Sequence, residues 1–185
     1  MSTRTNIRIK SNAASYWLYR HHDGYLGEAG ADILKIAGSL QKQIDENGGS
    51  HITASDLTSL FLEQTYDATE YSDERPVYEL TDNVHGDIEH LYTVELRGTG
   101  GRILQVTISH AARPANWFEQ GPGFPDPLKW GTSAGYDCEA FAQVVNADRE
   151  SMNGNIRERY PDTDEENLYK PVDKYGATAK AEAAS

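Results

Sequence analysis

The sequence is poor in the residues that most often build covalent or metal-bound frameworks. Its 185 residues include a single cysteine, Cys138, so an internal disulfide is impossible and a zinc site made of thiolates is excluded. A lone cysteine also points to a reducing compartment. Long apolar runs are missing as well. No stretch of about 18 apolar residues is present to span a bilayer, and residues 1–10 lack the apolar centre of a secretory signal. Cytoplasmic residence, without a membrane partner, is the resulting expectation. Basic residues are scarce, 17 against 29 acidic ones, for a net charge of −12. That field repels phosphate backbones and disfavours general nucleic-acid binding, while a partner with a basic surface would be attracted. The same charge also serves plain solubility.

What is present suits one globular domain. Hydrophobic residues make up 38% and charged residues 25%, with a mean hydropathy of −0.67, and a chain of this length buries roughly 70% of its unfolded surface without a staple. Ile7 and Ile9 alternate with Arg8 and Lys10 as in a strand. Residues 15–22 form a second strand after a turn at 11–14, with Tyr16, Leu18 and Arg20 on one face and Trp17, Tyr19 and His21 on the other. Ile33, Ala37, Leu40 and Ile44 repeat at helical spacing, and Asn47-Gly48-Gly49 closes that helix. Thr53 caps the next helix, with Asp56 in its first turn and Ile52 and Leu57 placed as a hydrophobic staple.

A polar loop at 65–75 leads to a short edge strand at 77–80, entered by Pro76. Residues 88–96 alternate strongly, and Gly98-Thr99-Gly100-Gly101 turns them onto a partner strand at 103–109. After a Pro- and aromatic-rich stretch, a third helix is expected over about 136–160 with Cys138, Phe141, Ala142, Val145, Met152 and Ile156 inward. Strands and helices segregate in blocks. The expectation is an α+β fold: a mainly antiparallel sheet of four to five strands with helices on one face. The domain is expected over residues 1–160, followed by an acidic, then Ala/Lys-rich, mobile tail at 161–185.

Two clusters carry groups that could do chemistry. Arg20, His22, Asp23 and Tyr25 sit where a strand opens into a loop, a common place for functional groups. His85 and Asp87 open the long hairpin. Each cluster also reads as structure: Asp23-Gly24 and His85-Gly86-Asp87 as turns, Arg20 as one half of an ion pair. Six histidines without a tight ligand spacing give no metal signature, so neither a metal nor another cofactor is expected, and no catalytic set emerges. Cys138 lies on an apolar helix stripe, as an inert core thiol would. Trp117, Phe118, Phe124 and Trp130, interleaved with Gly and Pro, offer either rigid recognition area or a lid over the core.

Tyr19-Arg20-His21-His22-Asp23-Gly24-Tyr25 and residues 85–92 resemble segments of uncharacterised small proteins encoded by bacteriophages and prophages. In those, a Tyr-Arg-His-x-Asp-Gly-Tyr strand-loop motif is followed by a later acidic and aromatic strand. Here Leu26 stands where such proteins often carry proline. The resemblance implies an origin in a phage and residence in the host cytoplasm, with no chemistry attached. Together with the charge it leads to a non-enzymatic binding protein that engages a host component, such as a counter-defence inhibitor. The alternatives are a sponge for a nucleotide second messenger, with Arg20 and His22 on phosphate, and a His/Asp- or metal-dependent enzyme using His22, Asp23, His85 and Asp87.

Overall fold

The computed structural model describes residues 3–63, 76–117, 126–131 and 135–178. Strands β1 (Thr5–Lys10) and β2 (Ser15–Arg20) form the first hairpin; helices α1 (Ala31–Asn47) and α2 (Ala54–Leu62) follow. The edge strand β3 (Glu79–Thr81), the long pair β4 (His90–Thr99) and β5 (Arg102–Ala112), and helix α3 (Cys138–Arg159) complete the order. The sheet runs β3-β2-β1-β4-β5. Three of its pairings are antiparallel and β1–β4 is parallel. The fold is α+β, with a sheet that is mainly antiparallel but mixed.

The local chemistry of each element follows the pattern read above. Gly48, at φ 67°, ends α1 in the left-handed region. Thr53 Oγ1 accepts from the Asp56 amide at 3.2 Å, and the Asp56 carboxylate accepts from the Thr53 amide at 2.9 Å, a reciprocal cap that starts α2. Gly100 and Gly101, at φ 60° and 75°, make the two-residue turn whose twist matches that of the strands it joins.

One face of the sheet carries the main core. Ile7, Ile9, Leu18, Tyr92, Val94 and Ile108 pack there against Ile33, Leu40, Leu57, Phe61, Phe141 and Val145 of the three helices. Parallel pairing of β1 with β4 has a topological cost: the chain leaves β3 beyond β2 and must reach the far side of β1. Residues 82–89 make that crossing on the other sheet face. The His85 amide donates to Asn6 Oδ1 at 2.7 Å, and its ring stacks on Tyr19 with centroids 4.0 Å apart. A second, smaller core results there from Tyr19, Ile88, Leu91, Ala111 and Trp130.

The chain past residue 160 departs from the expectation of a mobile tail. Leu168 and Val172 are buried, and two asparagines on α3 clamp the backbone between them. Asn153 donates to the Tyr169 carbonyl at 2.9 Å and accepts from its amide at 2.8 Å. Asn146 does the same for Val172, at 2.8 and 2.9 Å. Both clamps lie on one side of α3, seven residues apart, and Arg149 between them donates to the Lys170 carbonyl at 2.6 Å. This strap then crosses α1 so closely that a methyl on Gly38 would come within 2.6 Å of the Tyr175 Cα. Leu168–Thr178 belongs to the fold; residues 179–185 lie outside the described residues.

Candidate functional site

Those of the residues singled out from the sequence that the structure describes gather toward one end of the sheet, yet most are committed to holding it together. Arg20 is buried. Its Nη1 donates to Asp32 Oδ2 at 2.6 Å and to the Tyr78 hydroxyl at 3.0 Å, and its Nε donates to the His22 carbonyl at 2.6 Å. Tyr78 donates in turn to Asp32 at 3.1 Å, and burial raises its hydroxyl pKa well above the ordinary value. The Arg20 guanidinium therefore joins β2 to the first turn of α1 and to the approach to β3.

His22 and Asp23 are exposed, and Asp23, at φ 52°, is the non-glycine residue in the left-handed region among those described. Aspartate tolerates this conformation better than most side chains. Tyr25 shares a hydrogen bond of 3.1 Å with Tyr169 of the strap, and burial, then that bond, raise its pKa. Asp87 pairs with Arg4 across the crossing segment. His85 Nε2 lies 3.0 Å from Thr81 Oγ1. Among the described residues no three His, Cys, Asp or Glu side chains group as metal ligands.

Trp117 lies under the Arg113 guanidinium, 4.7 Å from it, and Arg113 also pairs with Glu89 at 2.9 Å. Together with His90 they line a depression of about 300 Å³. Trp130 is buried in the second core, where its indole N–H has no acceptor among the described residues. Phe118 and Phe124 lie outside the described residues. Cys138 is buried, and burial pushes its thiol up to about 12, which keeps it protonated and unreactive.

A pair missed in the sequence lies on the helix-facing side of the same end. His90 Nδ1 and His110 Nε2 are 2.9 Å apart, on β4 and β5 at positions diagonal to one another. Burial lowers both to about 4; Arg113 adds to the effect on His90, and His90 to that on His110. Both rings are neutral at ordinary pH, one donating and the other accepting.

A cavity lies at the opposite end of the sheet. Three connections meet there: the β1–β2 turn, the α1–α2 junction and the β4–β5 turn. They enclose a cleft of about 630 Å³. Tyr16, Ile52, Leu96 and Ile103 line it, and all four are part of the main core or packed against it. Its walls are tied together, because Ser50 and Ile103 exchange two backbone hydrogen bonds at 2.8 and 2.7 Å. The adjoining start of α2 already has its own cap in Thr53 and Asp56.

Among the described residues no carboxylate lines this cleft; the ionisable lining groups besides Tyr16 are Arg102 and His51. Arg102 donates from Nη2 to the Asn47 carbonyl at 3.0 Å, and His51 Nδ1 lies 3.3 Å from the Gly101 carbonyl. Each of the three connections is visible in the sequence as a turn or a cap. Nothing in the sequence says that they meet. No helix among the described residues is long and apolar enough to cross a membrane. Comparison with family models, with curated proteins and with solved structures finds no match to this chain.

Proposed function

We propose that this protein is a binding protein rather than a catalyst, and that its ligand occupies the cleft between the three connections. The observation that carries the reading is the cleft itself. At about 630 Å³ it falls within the range of small-molecule sites, and it combines an apolar lining with few polar groups, as such sites do. The catalytic-type side chains support the same view, since Arg20, His90, His110 and Cys138 are engaged or held neutral by the fold. The test uses phenylnaphthylamine, a neutral fluorophore that brightens in apolar surroundings. It should saturate at one site per chain, and Ala13→Trp, which fills the cleft from an exposed turn position, should abolish the signal. Trp substituted at exposed Leu128 should leave it intact. Equal binding by both variants removes the reading.

A second reading keeps a macromolecular partner, the host component that a phage-encoded inhibitor would engage. It is favoured by Tyr160, which is 59% exposed and lies in a segment where exposed Glu158, Asp162, Asp164, Glu165 and Glu166 outnumber exposed Arg157 and Arg159. An aromatic anchor among acids suits a basic surface. A pull-down from bacterial lysate at physiological salt should recover a basic partner that Tyr160→Ala releases. Recovery unchanged by that substitution would remove this second reading.

A further inference from the structure

The cleft has a charge character opposite to that of the chain that builds it, and this narrows its ligand. Acidic residues number 29 of 185, and none of the described residues lining the cleft is one of them. The lining instead holds Arg102 and His51, on two different walls. Arg102 is fixed from behind. Its guanidinium packs over Gly49, where a methyl would stand 2.9 Å from Nε, and one amino group is bonded to the end of α1 through Asn47. A guanidinium has five N–H donors, so this bond fixes its direction without exhausting its capacity. An arginine held in this way is preorganised for an anionic group. The wall formed by Tyr16, Ile52, Leu96 and Ile103 is largely apolar and suits an apolar body, with the Tyr16 hydroxyl as its polar group.

We infer that the cleft binds an amphipathic small anion: an aromatic or branched aliphatic body seated on Tyr16, Ile52, Leu96 and Ile103, with a carboxylate or sulfonate directed at Arg102. This rests on the cleft being a ligand site, as proposed above, and adds the sign and position of the charge. The rest of the molecule works against such a ligand, because a net charge of −12 repels anions at a distance. A preference for the anion would therefore originate in the cleft and not in the overall field.

Two dyes of nearly the same skeleton separate the two claims. Anilinonaphthalene sulfonate carries an anionic group that phenylnaphthylamine lacks. Titrated into the full chain at low salt, the sulfonate is expected to bind about tenfold more tightly than the neutral dye, as one charge-assisted contact allows. Arg102→Gln should bring the two dyes to within about twofold of one another, and Arg102→Lys should restore part of the difference. Circular dichroism checks that both variants fold. If the neutral dye binds as well as the sulfonate to the wild-type chain, or if Arg102→Gln preserves the gap, the inference is overturned while the cleft remains a site. Should neither dye bind, both the inference and the underlying reading are overturned.

Discussion

His90 and His110 meet edge to edge inside the fold, Nδ1 to Nε2 at 2.9 Å, with their rings 5.2 Å apart and inclined by 20°. Two imidazoles this close can share one proton between them but accept another only against burial and mutual repulsion. Tyr92 packs beside His110 at 4.9 Å, Arg113 acts on His90, and Asp148 partly offsets the repulsion felt by His110.

The pair makes stability depend on pH in a defined window. The folded rings titrate at about 4, against an ordinary value of 6.5. Between these values the unfolded chain binds more protons than the folded one, so stability present above pH 6.5 is lost as the pH falls toward 4. The loss should be on the order of 3 kcal/mol for each ring, and somewhat less than twice that for the coupled pair. Urea unfolding measured at steps from pH 7 to pH 4 checks this. The His110→Gln variant should show a clearly shallower decline, and an unchanged slope would contradict the assignment.

Arg20 should matter for stability and His22 should not. Arg20→Met removes a buried cation from Asp32 and Tyr78, and its expected cost is about 2–3 kcal/mol, discounted because the Asp32 side chain is 33% exposed. His22→Ala, at an exposed position, should stay within about 0.5 kcal/mol. Equilibrium denaturation of the two variants makes the comparison. Similar losses would mean that the network does not carry the joint between β2 and α1.

The strap along α3 yields a position-specific prediction. Asn153→Ala removes two hydrogen bonds to Tyr169 at a cost of about 1–2 kcal/mol, and hydrogen exchange of the Tyr169 amide should accelerate while that of Val172 stays slow. Asn146→Ala should do the reverse. Gly38→Ala, which drives a methyl into the backbone at Tyr175, should loosen the strap across α1 and speed exchange at the Ala177 amide, which is bonded to Asp173 at 3.0 Å. Uniform acceleration in all three variants would show that the strap has no separately held points.

Much of this architecture is legible in the residues, and the gaps have physical causes. The alternation in Ile7–Ile9 and in Tyr92–Leu96 marks strands because one sheet face is buried, and Thr53 marks a helix start because its hydroxyl replaces a missing backbone partner. The strap is different. Only Leu168 and Val172 are buried there, too few to set up a period, and the segment is held by Asn146 and Asn153 on a distant helix. Arg20 is readable as half of an ion pair; its partner Asp32 becomes identifiable only once β2 and α1 are packed together. The parallel pairing of β1 with β4 depends on a crossing whose anchors, Asn6 and Tyr19, look like ordinary strand residues. The cleft is hidden for the same reason, since its walls come from three connections whose meeting is a property of the fold.

The most direct test of the cleft as a ligand site is a heteronuclear NMR titration of the labelled chain with a panel of small aromatic carboxylates. Shifts should concentrate at the amides of Tyr16, His51, Leu96 and residues 98–103, with the Arg102 side-chain resonances following, while the histidine end stays still. Shifts gathered instead around His22, His85 and Trp117, or none anywhere at millimolar ligand, would contradict it.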